Sequence, residues 1–174
     1  MKKLTLIVVI VIICLGALYF VNRKTAIAPT VPLPVTADSK PIELCFYKKE
    51  KTSRGLFDVN WLKMSLLGDK VTGEFHYLPA EKDKKVGTFE GTVGAVDKAM
   101  MARVANVWWN SEAEGMQAKE QLRIVFGEGS AQAGFGEMVD KGDGTYVYKD
   151  VSKITYGVSM TDVACADLDS LNSN

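Results

Sequence analysis

Few side chains in this chain of 174 residues have the chemistry and the setting for a reaction. His76 is the only histidine, so a metal site made of several histidines is excluded and a Ser-His-Asp triad would have to be built on it. Apolar and polar residues alternate around His76, as they do along a half-buried strand. We therefore interpret it as a strand histidine that faces outward.

Two glutamates are the better candidates for chemistry. Glu120 and Glu137 each share the parity of apolar neighbours, which predicts that they point inward if their segments are strands. Inward carboxylates can bind a cationic ligand or act as acid and base in a carboxylate-dependent hydrolase. The alternative is that they lie at a barrel end or pair with Arg103 or Arg123. We favour that alternative, and we expect no enzyme activity, no cofactor and no metal site.

Adjacent tryptophans form the second candidate feature. Trp108 and Trp109 must point to opposite faces if they lie on one strand, so one ring is expected in the core and the other on the surface. An exposed ring of this size can mark a contact with a ligand or a partner. The candidate ligand-binding residues are therefore Trp108, Trp109, Glu120 and Glu137.

The three cysteines divide into two groups. Cys14 lies in a hydrophobic segment, whereas Cys45 and Cys165 lie near the two ends of the region that has the composition of a folded domain. This placement predicts a disulfide between Cys45 and Cys165 and an oxidising compartment. The alternative is two free buried thiols that act as small hydrophobic side chains.

Charge and length limit the class of protein. The 21 lysines and arginines equal the 21 aspartates and glutamates, so no charge excess indicates nucleic acid as a partner, and none is expected. Once the hydrophobic N-terminal segment is set aside, roughly 125 residues remain for one folded domain with its own core.

The N-terminal segment predicts a membrane anchor. Residues 4–21 form an uncharged run of 18 residues between Lys2-Lys3 and Arg23-Lys24. As a helix this run is about 27 Å long, close to the thickness of the hydrocarbon core of a bilayer. We assign residues 1–24 to an uncleaved transmembrane helix and the lipid bilayer as partner of residues 4–21.

Three alternatives to the anchor stay open. Ala26-Ile27-Ala28 is a small-x-small site for cleavage of a signal peptide, although Pro29 would follow the cut. Lipidation would use Cys14, but Ile13 stands where that signal usually has a small residue. A buried soluble helix is disfavoured because the segment has no polar face.

The segment after the anchor is rich in proline. Residues 25–41 contain Pro29, Pro32, Pro34 and Pro41 among small and polar residues, which predicts an extended linker. The charges on the two sides of the anchor are nearly balanced, and they lean only slightly towards a cytoplasmic N-terminus. With the cysteine pair, this predicts a single-pass membrane protein whose domain is extracytoplasmic, in the periplasm or at the cell surface.

Residues 42–167 predict an all-β domain. Short runs of alternating polarity follow one another with turn residues between them, and Gly68-Asp69 is typical of a tight hairpin. Around Trp61 the apolar residues change parity, and we interpret this as a bulge rather than as a strand covered on both faces. Met100, Met101 and Met116 are expected in the core. Residues 168–174 are predicted to be a disordered tail.

The order of these strands predicts their closure. Seven to nine strands in an up-and-down antiparallel meander leave two open edges unless they close into a barrel, here of about eight strands. Closure places the first and last strands side by side, which would also bring Cys45 close to Cys165. The fold class is therefore an antiparallel barrel preceded by one transmembrane helix.

A resemblance to a known group of proteins rests on turn and glycine motifs. These are Cys45-Phe46-Tyr47, Leu66-x-Gly68-Asp69-x-Val71-x-Gly73, Glu81-Lys82-Asp83, Gly87-Thr88-Phe89-x-Gly91 and Gly134-Phe135-Gly136. The stretch from Cys45 to Met138 resembles small uncharacterised bacterial lipoproteins and membrane-anchored proteins expected to have lipocalin-like β-domains. The resemblance implies a small lipocalin-like barrel and no activity.

These observations favour a binding or envelope-interaction module, with a small apolar ligand or an envelope protein as partner. A carboxylate-dependent hydrolase and a purely structural spacer are the alternatives. The interior of the barrel separates them, because a large cavity favours a ligand and a filled core favours interaction or structure. Converging buried acids would favour catalysis.

Overall fold

A computed structural model describes residues 40–172, and these form an all-β domain. Within this range, ten strands, a short 3₁₀ helix at Val151–Lys153 and one α-helix follow one another. Their bounds are β1 Ile42–Lys51, β2 Phe57–Leu67, β3 Lys70–Leu78, β4 Lys85–Val93, β5 Arg103–Ala113, β6 Met116–Gly127, β7 Ser130–Phe135, β8 Met138–Asp140, β9 Thr145–Tyr148, β10 Thr155–Val163 and α1 Leu168–Asn172.

Eight of the strands close into an antiparallel barrel, as the alternation of the sequence predicts. Strands β1 to β7 pair in chain order, β10 pairs with both β7 and β1, and the ring is complete. The predicted transmembrane helix and residues 25–39 of the predicted linker lie outside the described residues. Within residues 40–172, no helix has the length and apolar character needed to cross a bilayer.

The chain departs from a simple meander after β7. Strands β8 and β9 form a hairpin outside the barrel, and β9 pairs in parallel with β6 at Lys119 and Glu120. Tyr148 fastens this hairpin, because its hydroxyl donates a hydrogen bond of 2.8 Å to the carbonyl oxygen of Gly134. The last strand, Thr155–Val163, returns to the ring and pairs with β7 on one edge and β1 on the other.

Strand β2 is regular, so the predicted bulge near Trp61 is wrong. Its pairing with β1 runs without a shift from Lys51↔Phe57 to Ile42↔Leu66, and its pairing with β3 is also continuous. The apolar residues at the beginning of β2 therefore face outward, while Leu62, Met64 and Leu66 face the core. The change of parity in the sequence therefore marks an apolar surface on the outside of β2. The strand contains no inserted residue.

The hairpin predicted at Gly68-Asp69 is confirmed by the pair Leu67↔Lys70 that flanks it. The expectation for the methionines is wrong, because Met100, Met101 and Met116 are all more than half exposed. Met100 and Met101 lie in the loop between β4 and β5, and Met116 directly follows the turn into β6. Inward parity buries a side chain only where the opposite wall of the barrel covers it.

The inner faces of the strands form one continuous core. Trp109, Phe75, Leu62, Met64 and Ile124 are the largest side chains that are almost completely buried. Small residues allow the walls to approach: a Cβ on Gly73 would lie 2.6 Å from the ring of Phe89 and still closer to the backbone of β2. This close approach is a reason for the glycine-rich inner face of β3 and β4.

The seam between β1 and β10 is the shortest junction in the ring. It contains three residue pairs, Cys45↔Val163 to Tyr47↔Thr161, whereas β1 and β2 share ten. The predicted disulfide is confirmed just beyond the seam, where Cys45 bonds to Cys165 with the two Cα atoms 5.1 Å apart.

The segment after the disulfide covers the outside of this seam. The described part of the expected disordered tail forms the short helix α1, whose Leu168 is buried. The hydroxyl of Tyr47 donates a hydrogen bond to the carbonyl oxygen of Leu171. The apolar Leu168 and this hydrogen bond explain why the polar composition of residues 168–172 does not prevent order.

We predict that Cys165→Ser lowers the stability of the barrel, because the disulfide closes a loop of 120 residues at the weakest seam. Loop entropy of that size corresponds to at most about 4 to 5 kcal/mol. Thermal unfolding of the full chain in detergent, with and without reductant, measures this loss of stability. Cys14→Ser is the matched control and should leave the melting temperature unchanged. Equal melting temperatures for oxidised and reduced wild type would contradict the prediction.

Candidate functional site

Glu120 lies on β6 and points inward, where it joins a polar cluster near one end of the barrel. One of its carboxylate oxygens lies 2.5 Å from Nζ of Lys85 and accepts a hydrogen bond of 2.7 Å from the hydroxyl of Ser111. The side chain of Glu120 is 13% exposed and that of Lys85 is 32% exposed. The carboxylate is therefore neutralised and hydrogen-bonded by neighbours on β4 and β5.

Glu137 is in a different setting. Its carboxylate lies 2.6 Å from Nζ of Lys149, and both side chains are more than half exposed. The backbone N–H of Lys149 also donates to the carbonyl oxygen of Glu137, so the pair extends the β8–β9 hairpin. The two glutamates thus have separate lysine partners, neither of which is the arginine expected from the sequence.

The tryptophans divide between the two faces of β5. Trp109 is buried, and its ring contacts that of Phe75 with centroids 5.2 Å apart. Trp108 is half-buried on the outer face, where Nζ of Lys119 lies 5.4 Å above its ring centroid. The lysine covers the exposed ring and reduces the apolar surface that Trp108 offers to a partner.

The barrel interior is filled by side chains near the candidate residues. Phe75, Trp109 and Leu122 belong to the continuous buried core that fills it. A small, half-open cavity of about 40 Å³ lies beside Trp109, Glu120 and Tyr148. The indole Nε1 of Trp109 is buried without a hydrogen-bond partner among the described residues. A lipid or another small apolar ligand of ordinary size needs several hundred Å³ and does not fit this space.

An aromatic groove lies on the outside of the barrel, at residues that the sequence pattern did not predict to form a site. It is an open depression of about 480 Å³ over the ends of β2 and β3. Its lining is mainly apolar and aromatic and consists of Phe57, Val59, Trp61, His76, Leu78, Ala80 and Lys84. Phe57 is 48% exposed, so a large ring stands open at one end of the groove.

The register of the strands builds the groove. Trp61 pairs with His76, and Val59 pairs with Leu78, so these four side chains project from the same outer face of two neighbouring strands. The rings of Trp61 and His76 stack at 3.8 Å between centroids. The sequence signal for this surface was the alternation of Phe57, Val59 and Trp61 on the face of β2 opposite to Leu62. The interpretation as a bulge assigned that alternation to an inserted residue, so the surface was missed.

His76 has a low proton affinity in the groove. Burial against Trp61 lowers the pKa of its imidazole, and the carboxylate of Glu74, 3.9 Å from Nε2, partly opposes this effect. The neutral ring is therefore the stable form at pH 7. The groove presents an uncharged stacked pair at neutral pH.

Lysines surround the groove. Nζ of Lys49 lies 5.0 Å above the ring centroid of Phe57, Lys51 pairs with Phe57 across β1 and β2, and Lys84 is part of the lining. None of the three takes part in an ion pair within residues 40–172, whereas the nearby Glu81 is paired with Arg54. The groove is thus apolar at its centre and cationic along its rim.

Comparison with known proteins finds no match among family models, curated proteins or solved structures. The candidate sites are therefore ranked by geometry alone. The outer groove is the better candidate, because the interior is filled and the two glutamates are held by separate lysines.

We predict that Lys85 and Glu120 stabilise the barrel as a coupled pair. Lys85→Met leaves a largely buried carboxylate with Ser111 alone, so the double variant Lys85→Met/Glu120→Leu should lose less stability than the sum of the losses in Lys85→Met and Glu120→Leu. A double-mutant cycle in urea should give a coupling energy of about 0.5 to 3 kcal/mol. Glu137 and Lys149, exposed on the surface, form the control pair with a coupling near zero. Additive effects at Lys85 and Glu120 would show that the contact contributes nothing.

We predict that His76 makes the domain less stable in mild acid. Because its pKa is lower in the folded than in the unfolded chain, the unfolded state binds more protons as the pH falls through about 6.5. Stability from this group is present above that pH and decreases below it. Urea unfolding of wild type and His76→Gln at pH 7.5 and 5.5 measures the difference, which should be larger for wild type. An equal loss of stability between pH 7.5 and 5.5 in wild type and His76→Gln would show that other titrating groups cause it.

Proposed function

We propose that this protein is a membrane-anchored extracytoplasmic binding module that contacts another envelope protein through the outer aromatic groove. The observation that carries the proposal is the contrast between a filled interior and an open groove. Core side chains such as Trp109, Phe75 and Leu62 fill the interior, whereas the groove over β2 and β3 has about 480 Å³. A barrel of this kind offers its outer wall to a partner, but it has no room inside for a small-molecule ligand.

The shape of the groove supports a role in recognition. Phe57, Trp61 and Leu78 form an apolar surface, and surfaces of this kind mark sites of interaction in soluble domains. Tryptophan and other aromatic residues often contribute most to binding, since a rigid ring buries a large area. A purely structural spacer would have no use for such a surface.

The compartment in this proposal depends on the N-terminal segment and the cysteines. Residues 4–21 have the length and composition of a bilayer-spanning helix. The Cys45–Cys165 bond is of the kind that persists in exported proteins. Both features support a domain outside the cytoplasm, next to other envelope proteins.

The hydrolase alternative has less support. Catalysis by paired carboxylates requires two groups that reach one substrate. Glu120 is engaged by Lys85 and Ser111 at one end of the barrel, and Glu137 by Lys149 on the β8–β9 hairpin. Ser111 is itself only 2% exposed, and its hydroxyl is engaged by Glu120.

Site-specific photo-crosslinking in living cells tests the proposal. We expect a benzoylphenylalanine residue at position 57 of the full-length protein to form adducts with a partner of defined mass. The matched control is the same residue at position 67, because Leu67 lies on the outer face of β2 with a similar exposure of 45%, compared with 48% for Phe57. The Trp61→Ala variant should weaken the adduct from position 57.

Two outcomes would contradict the proposal. Adducts of equal yield from positions 57 and 67 would show random contact, and no adducts from position 57 would show that the groove is free in the cell. Circular dichroism of the purified variants checks that each retains the β-sheet signal of wild type.

A further inference from the structure

We propose that the aromatic groove binds an extended acidic segment of a partner protein, with apolar side chains in the groove and carboxylates against its lysine rim. The inference rests on the proposed function and adds the chemistry of the partner. It starts from the rim, where Lys49, Lys51 and Lys84 surround an apolar centre without an acidic partner in the described part of the chain.

The cationic rim is a local feature of the molecule. The whole chain has as many acidic as basic residues, so the three lysines are not a consequence of a basic composition. Glu74 contacts His76 at 3.9 Å on one side of the groove, and Glu81 is engaged by Arg54 at 3.4 Å. A segment that carries carboxylates at its ends would face the lysines and stay clear of Glu74.

The lining of the groove suits apolar side chains of a polypeptide. Trp61 and His76 stack on each other at 3.8 Å, so each ring has one face occupied. The groove offers this aromatic pair together with the aliphatic walls of Val59 and Leu78. Leucine, isoleucine or phenylalanine side chains pack well against such walls.

The length of the groove gives the size of the bound segment. From Phe57 to Trp61 the groove follows four residue steps of β2, which is about 13 Å. An extended ligand covers that distance with about four residues. Strand β2, which forms the floor of the groove, is paired with β1 on one edge and with β3 on the other, so its side chains rather than added strand pairing must hold the ligand.

Selection from a random peptide library tests this chemistry. The full-length protein is reconstituted in lipid nanodiscs, and a phage-displayed library of random dodecapeptides is selected on it after counter-selection on empty nanodiscs. We expect enriched peptides that combine two or more apolar residues with aspartate or glutamate. Their affinity is then measured by fluorescence polarisation with synthetic labelled peptides.

Matched variants locate the binding. Lys49→Glu/Lys84→Glu should weaken the selected peptides by about tenfold or more, since each lost rim contact is worth up to about 1 kcal/mol. Lys70→Glu/Lys98→Glu makes the same change of net charge at exposed lysines outside the groove and should leave affinity unchanged. Phe57→Ser should also weaken binding, and this exposed position does not disturb the core.

Several outcomes would overturn the inference. These are no enrichment, enriched peptides without acidic residues, equal weakening by both lysine pairs, and full affinity in Phe57→Ser. A crosslink from position 57 of one copy to a second copy of the chain would also overturn it. Crosslinking to a partner at position 57 together with a failed selection for acidic peptides would leave the proposed function standing. It would refute only the inference that the bound segment is acidic.

Discussion

Closure of the barrel between β1 and β10 is the constraint on which the rest of the structure depends. Only three residue pairs make this seam, and the Cys45–Cys165 bond and helix α1 reinforce it from outside. Closure gives every strand one face towards the core and one face towards solvent. Each candidate residue is therefore assigned to a role by the face on which it lies, and the groove exists because Trp61 and His76 lie on the outer one.

Because the interior is filled, the room for a partner lies on the surface. Trp109 and the phenylalanines occupy the space that a hollow barrel would offer to a ligand, and Glu120 is neutralised by Lys85 beside them. Burying that pair needs the hydrogen bond from Ser111, because an unsatisfied charge at this depth would be costly. The cluster of Glu120, Lys85 and Ser111 is therefore a structural part of the barrel wall. The outer groove keeps an open aromatic surface, which a soluble domain retains at a cost in solubility.

The candidate site could be predicted only in part from the sequence. Parity within one strand correctly separates Trp108 from Trp109 and directs Glu120 inward, because successive side chains alternate between faces. It does not give the partner of Glu120, since Lys85 comes near only through the pairing of β4, β5 and β6. The groove was missed because its residues are contributed by two strands, and apolar residues on the outer face of β2 have the same pattern as a bulge.

By itself the sequence determined the strand periodicity, the Gly68-Asp69 hairpin, the closure into about eight strands and the cysteine pair. These features depend on local alternation, on turn residues and on the two ends of one meander. The tertiary structure decided the rest: the regular β2, the exposed methionines, the β8–β9 hairpin and the order of helix α1. The physical reason is that burial and register depend on which distant strand lies opposite, and this information is absent from any single segment.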